Sequence, residues 1–208
     1  MRYSQWIEIE EVIGTFIRRD YGPVKAGTTV VDVGASLGSF SLYAAKAGAK
    51  VLSYEPAPSS FELLKANIKL NSLQKSISAY KQGVAGKSGK REFVISKFSP
   101  LSSFYVEQGD KVSVDCVSLK DIFKKHNLKT IDILKLDCEG AEYEILYQTP
   151  KSILDKISEI RLEYHVLPQK LANAKSLGAY LKRNGFKLIR ERRDAKISGI
   201  LWFSRLQS

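Results

Sequence analysis

In the stretch Val30–Phe40, VVDVGASLGSF, an apolar run carries an acid near its end, two glycines bracket a turn, and a helical pattern begins. Thr28–Val33 is short and β-branched, the composition of a buried strand. Phe40, Tyr43, Ala44 and Ala47 then recur at helical spacing. Gly34 and Gly38 stand where backbone takes a positive φ or lies close against a ligand. The spacing is G-x-x-x-G, whereas a dinucleotide-binding turn shows G-x-G-x-x-G. Asp32 precedes the glycines, where it would repel a pyrophosphate. A cationic ligand suits the turn better, although an ordinary strand-to-helix turn uses the same residues.

Outward from this turn, strands and helices keep alternating. Lys50–Tyr54 reads as a strand, and Ser59–Asn71 as a helix with Phe61, Leu64 and Ile68 on one face. A third strand falls within Ser76–Val84. Residues 85–117 break the rhythm. Their glycine-rich turns and two β-like runs, Glu92–Ser96 and Lys111–Val117, suggest an antiparallel excursion or a loop insert. The alternation then resumes with helix Leu119–His126, strand Ile131–Leu136 and helices Glu139–Tyr147 and Lys151–Ile157. Strand Glu159–Val166, helix Leu171–Asn184 and strands Phe186–Glu191 and Ile197–Phe203 complete the pattern. This order predicts an α/β fold: a doubly wound, mostly parallel seven-stranded sheet with helices on both faces. Only Arg192–Lys196 separates the last two strands, so they form an antiparallel C-terminal hairpin. Residues 1–27, with helix Trp6–Asp20, read as an N-terminal helical cap over the site or its edge, and 28–208 as one domain.

Ligands of such sheets bind at the carboxyl ends of the strands, and the sequence places acids there. Glu55 closes the second strand, 23 positions after Asp32, where an acid can accept hydrogen bonds from a ribose diol. Asp137 ends strand Ile131–Leu136 in the same row of tips, and would equally serve to cap the helix that follows. Glu139, Glu142 and Glu144 open that helix and suit its macrodipole. In Glu159–Pro168, EIRLEYHVLP, period two puts Glu163 and His165 on one face. An unperturbed histidine titrates near ~6.5, so His165 with Glu163 orienting it reads as a general base, or as a satisfied strand end. His126 lies on an exposed-looking KKHN stretch and receives no role.

Composition narrows the classes further. The chain has 208 residues, 44% hydrophobic and 26% charged, which fits one globular domain and excludes wholesale disorder. No charge-free stretch reaches the ~18 apolar residues of a membrane span. The N-terminus carries four Glu and Gln among its first eleven residues, which argues against a secretory signal. Cys116 and Cys138 form neither a disulfide framework nor a zinc spacing, so a reducing, cytoplasmic setting is expected. Asp137, Glu139, Glu163 and His165 could in principle form an oxygen/nitrogen site, but no metal is expected from the sequence. The net charge is +11, and residues 180–208 supply a surplus of six of it. That excess lies beyond the motifs. It is expected to be a solvated surface, dispensable for catalysis on a small substrate, with RNA as the rival partner.

Four stretches together resemble the FkbM-type S-adenosylmethionine-dependent methyltransferases: VDVGASLGSFS, EPAPSSFELLKANIKLN, KLDCEGAEYEIL and EYH. The likeness runs roughly over Thr28–Pro168, and Ser36 stands where the family usually carries asparagine. It implies a class I, Rossmann-like methyltransferase domain that binds S-adenosyl-L-methionine and methylates a hydroxyl of a sugar or small metabolite. Cofactor contacts are expected at Asp32, Gly34, Ala35, Ser36, Gly38, Phe40, Glu55, Pro56, Val84 and Asp137; read on the residues themselves, Asp137 and His165, with Glu163 orienting His165, are the catalytic candidates. An RNA methyltransferase and a non-catalytic module on the same fold are the alternatives.

Overall fold

The computed structural model describes residues 9–95, 110–193 and 198–206. Seven strands form the main sheet: β1 (Thr29–Val33), β2 (Lys50–Tyr54), β3 (Ile77–Tyr80), β7 (Ile131–Leu136), β8 (Ile157–His165), β9 (Phe186–Arg193) and β10 (Ser198–Arg205). Their order across the sheet is β3-β2-β1-β7-β8-β10-β9. The five strands from β3 to β8 pair in parallel, and β10 runs antiparallel to both β8 and β9. The strand order reverses at β1, whose neighbours are β2 and β7. That is the switch point where open sheets form their ligand crevice.

The apolar periodicity explains the layers. In α3 (Pro58–Leu70), Phe61, Leu64 and Ile68 are buried on one side, each stabilising by ~1.5–3 kcal/mol when removed from water. They pack with Phe40, Ala44 and Ala45 of α2 (Ser39–Lys46) against one face of the sheet. Residues of α4 (Leu119–Lys125), α5 (Ala141–Gln148), α6 (Lys151–Leu154) and α7 (Ala174–Arg183) join the larger core on the other. Local signals set the helix ends. Pro58 supplies the first turn of α3, and Ser118 and Asn173 accept the amides of Asp121 and Ser176 as N-caps.

Two expectations hold in finer detail, the third strand and the middle excursion, and two helix bounds are adjusted. The segment Ser76–Val84 is two strands, because the chain leaves the main sheet after Tyr80. Gly83–Val84, as β4, joins β5 (Gly89–Ile95) and β6 (Asp110–Val117) in a separate sheet of order β4-β6-β5. The middle segment is thus the antiparallel excursion, with Ser96 outside the described residues. The helix from Lys151 stops at Leu154; Ile157 is fully buried and pairs with Ile131, so it opens β8. The N-terminal helix, of which Trp6 lies outside the described residues, continues as a short π-type segment, α1 (Ile13–Arg18), and ends before Asp20. Ile197 also lies outside them. Among the described residues no helix is long and apolar enough to cross a membrane.

Candidate active site

The β1–α2 turn is held by its backbone. The amides of Gly34 and Ala35 both donate to the Tyr54 carbonyl, at 3.0 and 3.1 Å, which locks the turn to the end of β2. Gly34, Ser36 and Gly38 all take positive φ, at 71°, 49° and 94°. A Cβ on Gly34 would lie 1.7 Å from the Asp137 carbonyl oxygen, so the turn and the tip of β7 touch through a position only glycine fits. Ala35 and Phe40 are buried at 2% and 3% exposure.

Asp32 is fully buried and does not present its carboxylate to the crevice. Ser41 Oγ donates to its Oδ2 at 2.6 Å, and Lys135 Nζ lies 3.1 Å from Oδ1. Lys135 also donates to the Gly34 carbonyl at 2.8 Å and lies 3.8 Å from Asp137 Oδ2. Burial alone would depress this ammonium; Asp32, Asp137 and Glu11 outweigh that and hold it charged. Sequence reasoning misses Lys135. Its signal is a lone cation in an apolar strand, two positions before Asp137 and thus on the same face. Its register opposite Asp32 comes only from the β1–β7 pairing.

Glu55 caps the second wall. Its Oε2 accepts the Ser36 amide and its Oε1 the Ala57 amide, both at 2.8 Å. Each oxygen keeps a further lone pair for a ligand. Burial pushes its carboxyl up to about 7, against the two amides and Lys135. Pro56, half-buried, follows it out of β2. Val84 is 3% exposed and packs into the main core, which claims that side chain. His126 is not a bare surface residue: its Nε2 lies 3.0 Å from Tyr54 Oη, next to Glu55 in sequence, and its ring packs on Tyr80.

The third wall is a corner between β7 and β8, where Asp137, Glu163 and His165 converge with ligand-capable atoms within 4.8 Å of one another. Three acids that read alike as a helix start do three different things. Glu139, in the turn, lies 3.4 Å from His165 Nε2. Glu142 is fully buried and accepts the amides of Gly140 and His165 at 2.8 and 2.9 Å, with Oε1 3.4 Å from His165 Nδ1. Glu144 instead takes Arg91 and the Gly86 amide. Glu163, expected to orient His165, is the more distant carboxylate at 3.9 Å. Burial alone would lower the imidazole, but Glu142, Glu139 and Asp137 hold it up to about 10. These carboxylates favour the charged imidazole, against the expectation of a histidine free to accept a proton at pH 7. No side chain caps α5, so Asp137 is not an N-cap. Its Oδ2 accepts Tyr21 Oη at 2.9 Å instead.

Tyr21 belongs to a strap that crosses the corner. Arg161 Nη1 donates to the carbonyls of Tyr21 and Pro23, and Trp202 Nε1 to that of Asp20. Asp20 pairs with Arg18 and Arg192. Upstream, the Ser39 amide at the start of α2 donates to Glu11 Oε1 at 3.3 Å. Tyr21, Arg161 and Glu11 carry no motif, and only the fold brings them to the crevice.

A seven-stranded sheet of this order, with a glycine turn after β1 and acids at the tips of β1, β2 and β7, is the class I methyltransferase architecture. The chain matches the methyltransferase FkbM domain over residues 32–188 and belongs to that family; it is a methyltransferase. It is 26% identical over 213 residues to Methyltransferase sdnD of Sordaria araneosa, covering 84% of this chain and 80% of that one. Against 31-O-demethyl-FK506 methyltransferase FkbM of Streptomyces tacrolimicus the identity is 24% over 202 residues, with coverages of 81% and 76%. Among solved structures, methyltransferase FkbM from Methylobacillus flagellatus aligns with a TM-score of 0.63 at 15% identity, over 92% of this chain and 47% of that chain. Magnesium protoporphyrin IX methyltransferase of Synechocystis, solved with bound SAM, aligns at 0.50 and 15% identity, over 87% and 71%. At these identities the structures speak for the fold.

Proposed function

We propose that this chain transfers the methyl group of S-adenosylmethionine to a hydroxyl of a sugar or other small metabolite. The observation that carries the reading is the juxtaposition at the switch point. The glycine turn and Glu55 form one side of the crevice, and the Asp137–Glu163–His165 corner lies across β1 from Glu55. In this reading the backbone of Gly34–Gly38 receives the methionine portion and Glu55 accepts from the ribose hydroxyls. Asp32 acts through Lys135, fixing the Gly34 carbonyl and Asp137 rather than touching the cofactor. Pro56, half-buried, shapes the edge of that seat, and the buried Phe40 supports the turn from the core.

Methyl transfer is an in-line displacement at carbon with a sulfonium leaving group. The protein has to align the acceptor oxygen with the methyl and to accept the hydroxyl proton. In this reading the proton leaves at the Asp137 end of the corner, where Tyr21 Oη donates to Asp137 Oδ2. His165 and Glu163 border the same space. The FkbM relative whose name specifies an O-demethyl acceptor supports a hydroxyl as the methyl's destination.

The test is methyl-labelled S-adenosylmethionine incubated with the full chain, a panel of hydroxylated small molecules and, in parallel, RNA. Label on a small-molecule oxygen is expected, together with calorimetric binding of S-adenosylhomocysteine. Label entering RNA alone, or no cofactor binding by folded protein, overturns the reading.

A further inference from the structure

We infer that the corner formed by Asp137, Glu163 and His165 is a binding site for one divalent cation of the Mg²⁺/Mn²⁺ class, which holds the acceptor's oxygen. The inference deepens the methyltransferase reading above and rests on it for the acceptor's place, though not for the ion's. Three observations converge on it.

The first is donor geometry. Two carboxylates and one imidazole offer atoms within 4.8 Å of one another. Ligands in an octahedral shell at ~2.1 Å sit about 3 Å apart, so small side-chain rotations close the set. The donors come from the ends of adjacent parallel strands, β7 and β8. An ion there keeps open positions for water or a substrate oxygen.

The second is how the donors are backed. Metal-binding histidines present one nitrogen to the ion and the other to a carboxylate. Here Nδ1 of His165 faces Oε1 of the fully buried Glu142 at 3.4 Å, and the two backbone amides on Glu142 fix that carboxylate. Nε2 is the nitrogen turned toward Glu139 and Glu163. Asp137 is backed in the same way, with Tyr21 Oη on one oxygen.

The third is charge. Asp137, Glu139, Glu142 and Glu163 surround one imidazole. The nearest ammonium, Lys135, lies 3.8 Å from Asp137 Oδ2 but is shared with Asp32 at 3.1 Å and the Gly34 carbonyl at 2.8 Å. The other three carboxylates gather at the imidazole, whose proton an ion would displace. A cation resolves that crowding of like charges. The donor set also selects its class. The thiol of neighbouring Cys138 is turned to Glu142, with Sγ–Oε2 at 3.8 Å, so the set is oxygen-rich and lacks the sulfur of softer metals.

The experiment uses Mn²⁺ and the full chain stripped with EDTA. Electron paramagnetic resonance should show one Mn²⁺ bound per chain, displaced by excess Mg²⁺, and electron spin echo should show ¹⁴N coupling from one imidazole. Glu163→Gln and His165→Gln should each weaken Mn²⁺ binding at least tenfold, and His165→Gln should abolish the nitrogen coupling. If a variant fails to fold by circular dichroism, the ¹⁴N signal of the unmodified chain decides alone. Absence of bound Mn²⁺, absence of nitrogen coupling, or unchanged affinity in both folded variants overturns the site. S-adenosylhomocysteine calorimetry on metal-free protein runs alongside. Its failure with Mn²⁺ bound refutes the S-adenosylmethionine reading and spares the ion; cofactor binding without Mn²⁺ binding does the reverse.

Discussion

At the scale of single residues, Glu55 joins structure to ligand. It ties the β1–α2 turn to the start of α3 through the Ser36 and Ala57 amides. Glu55→Ala should weaken S-adenosylhomocysteine binding by roughly 1–3 kcal/mol, the scale of a lost charge-assisted hydrogen bond, measured by calorimetry. The same group gives a pH signature. Its folded carboxyl stands at about 7 against an ordinary 4.5, so ionising it costs the folded state more than the unfolded one. Its contribution to stability is thus fullest below pH 4.5 and is lost as pH rises to about 7, by at most about 3 kcal/mol. Melting curves of Glu55→Gln should therefore fall less steeply across that window than those of the unmodified chain. An identical slope would place the burial cost elsewhere. Tyr21→Phe supplies a second case. It removes one hydrogen bond to Asp137 and should lower turnover about tenfold with cofactor affinity unchanged. Equal losses in both would show that the strap shapes the cofactor seat instead.

At the scale of elements, the β1–α2 turn separates what the sequence makes readable from what it hides. Gly34→Ala must push a methyl into the Asp137 carbonyl at 1.7 Å while holding φ at 71°. Gly27→Ala meets a similar φ of 80° with nothing within 4 Å. Denaturant unfolding should show about 1–2 kcal/mol lost for Gly27→Ala and several for Gly34→Ala. Matching losses would mean that conformational strain alone, not the turn's contact with β7, accounts for Gly34. The glycine turn, Glu55 and Asp137 are legible because each ends a periodic apolar run, and strand ends face the crevice. The corner is half-legible: alternation puts Glu163 and His165 on one face. Neither period nor spacing tells that Glu142 folds back beneath His165, because a helix's opening acids look alike whether they serve a dipole or a neighbour. The split of Ser76–Val84 into two sheets is hidden for a similar reason. A chain leaving one sheet for another keeps its β character.

At the scale of the whole molecule, the basic C-terminal hairpin is tied to the other end of the described chain. Its charge reads in the sequence as surplus lying beyond the motifs, and that reading fails for Arg192. This side chain pairs with Asp20, whose own carboxylate is 8% exposed, while Arg190 stacks over Trp202. Trp202 in turn holds the Asp20 carbonyl and leaves no room for a side chain on Gly22. The hairpin therefore clamps the strap that carries Tyr21 to Asp137, a connection between distant parts of the sequence that no local pattern reveals. Arg193 lies one residue away, with its side chain 78% exposed, pairing along its own strand with Glu191. The two arginines should thus respond differently to the same change. Arg193→Glu should leave melting temperature and turnover unaltered, as expected for an exposed ion pair. Arg192→Glu sets a carboxylate against Asp20 and should free the strap, visible as faster amide hydrogen exchange over residues 19–23 with β1 and β7 still protected. Turnover should fall with it, while cofactor affinity, built on the turn and Glu55, stays within about threefold. The charge swap Asp20→Arg with Arg192→Asp should restore part of the protection despite the nearby Arg18. Equal exchange in the two single variants would mean that the strap holds through Arg161 and Trp202 alone, and the basic surplus would then be the solvated surface that composition first suggested.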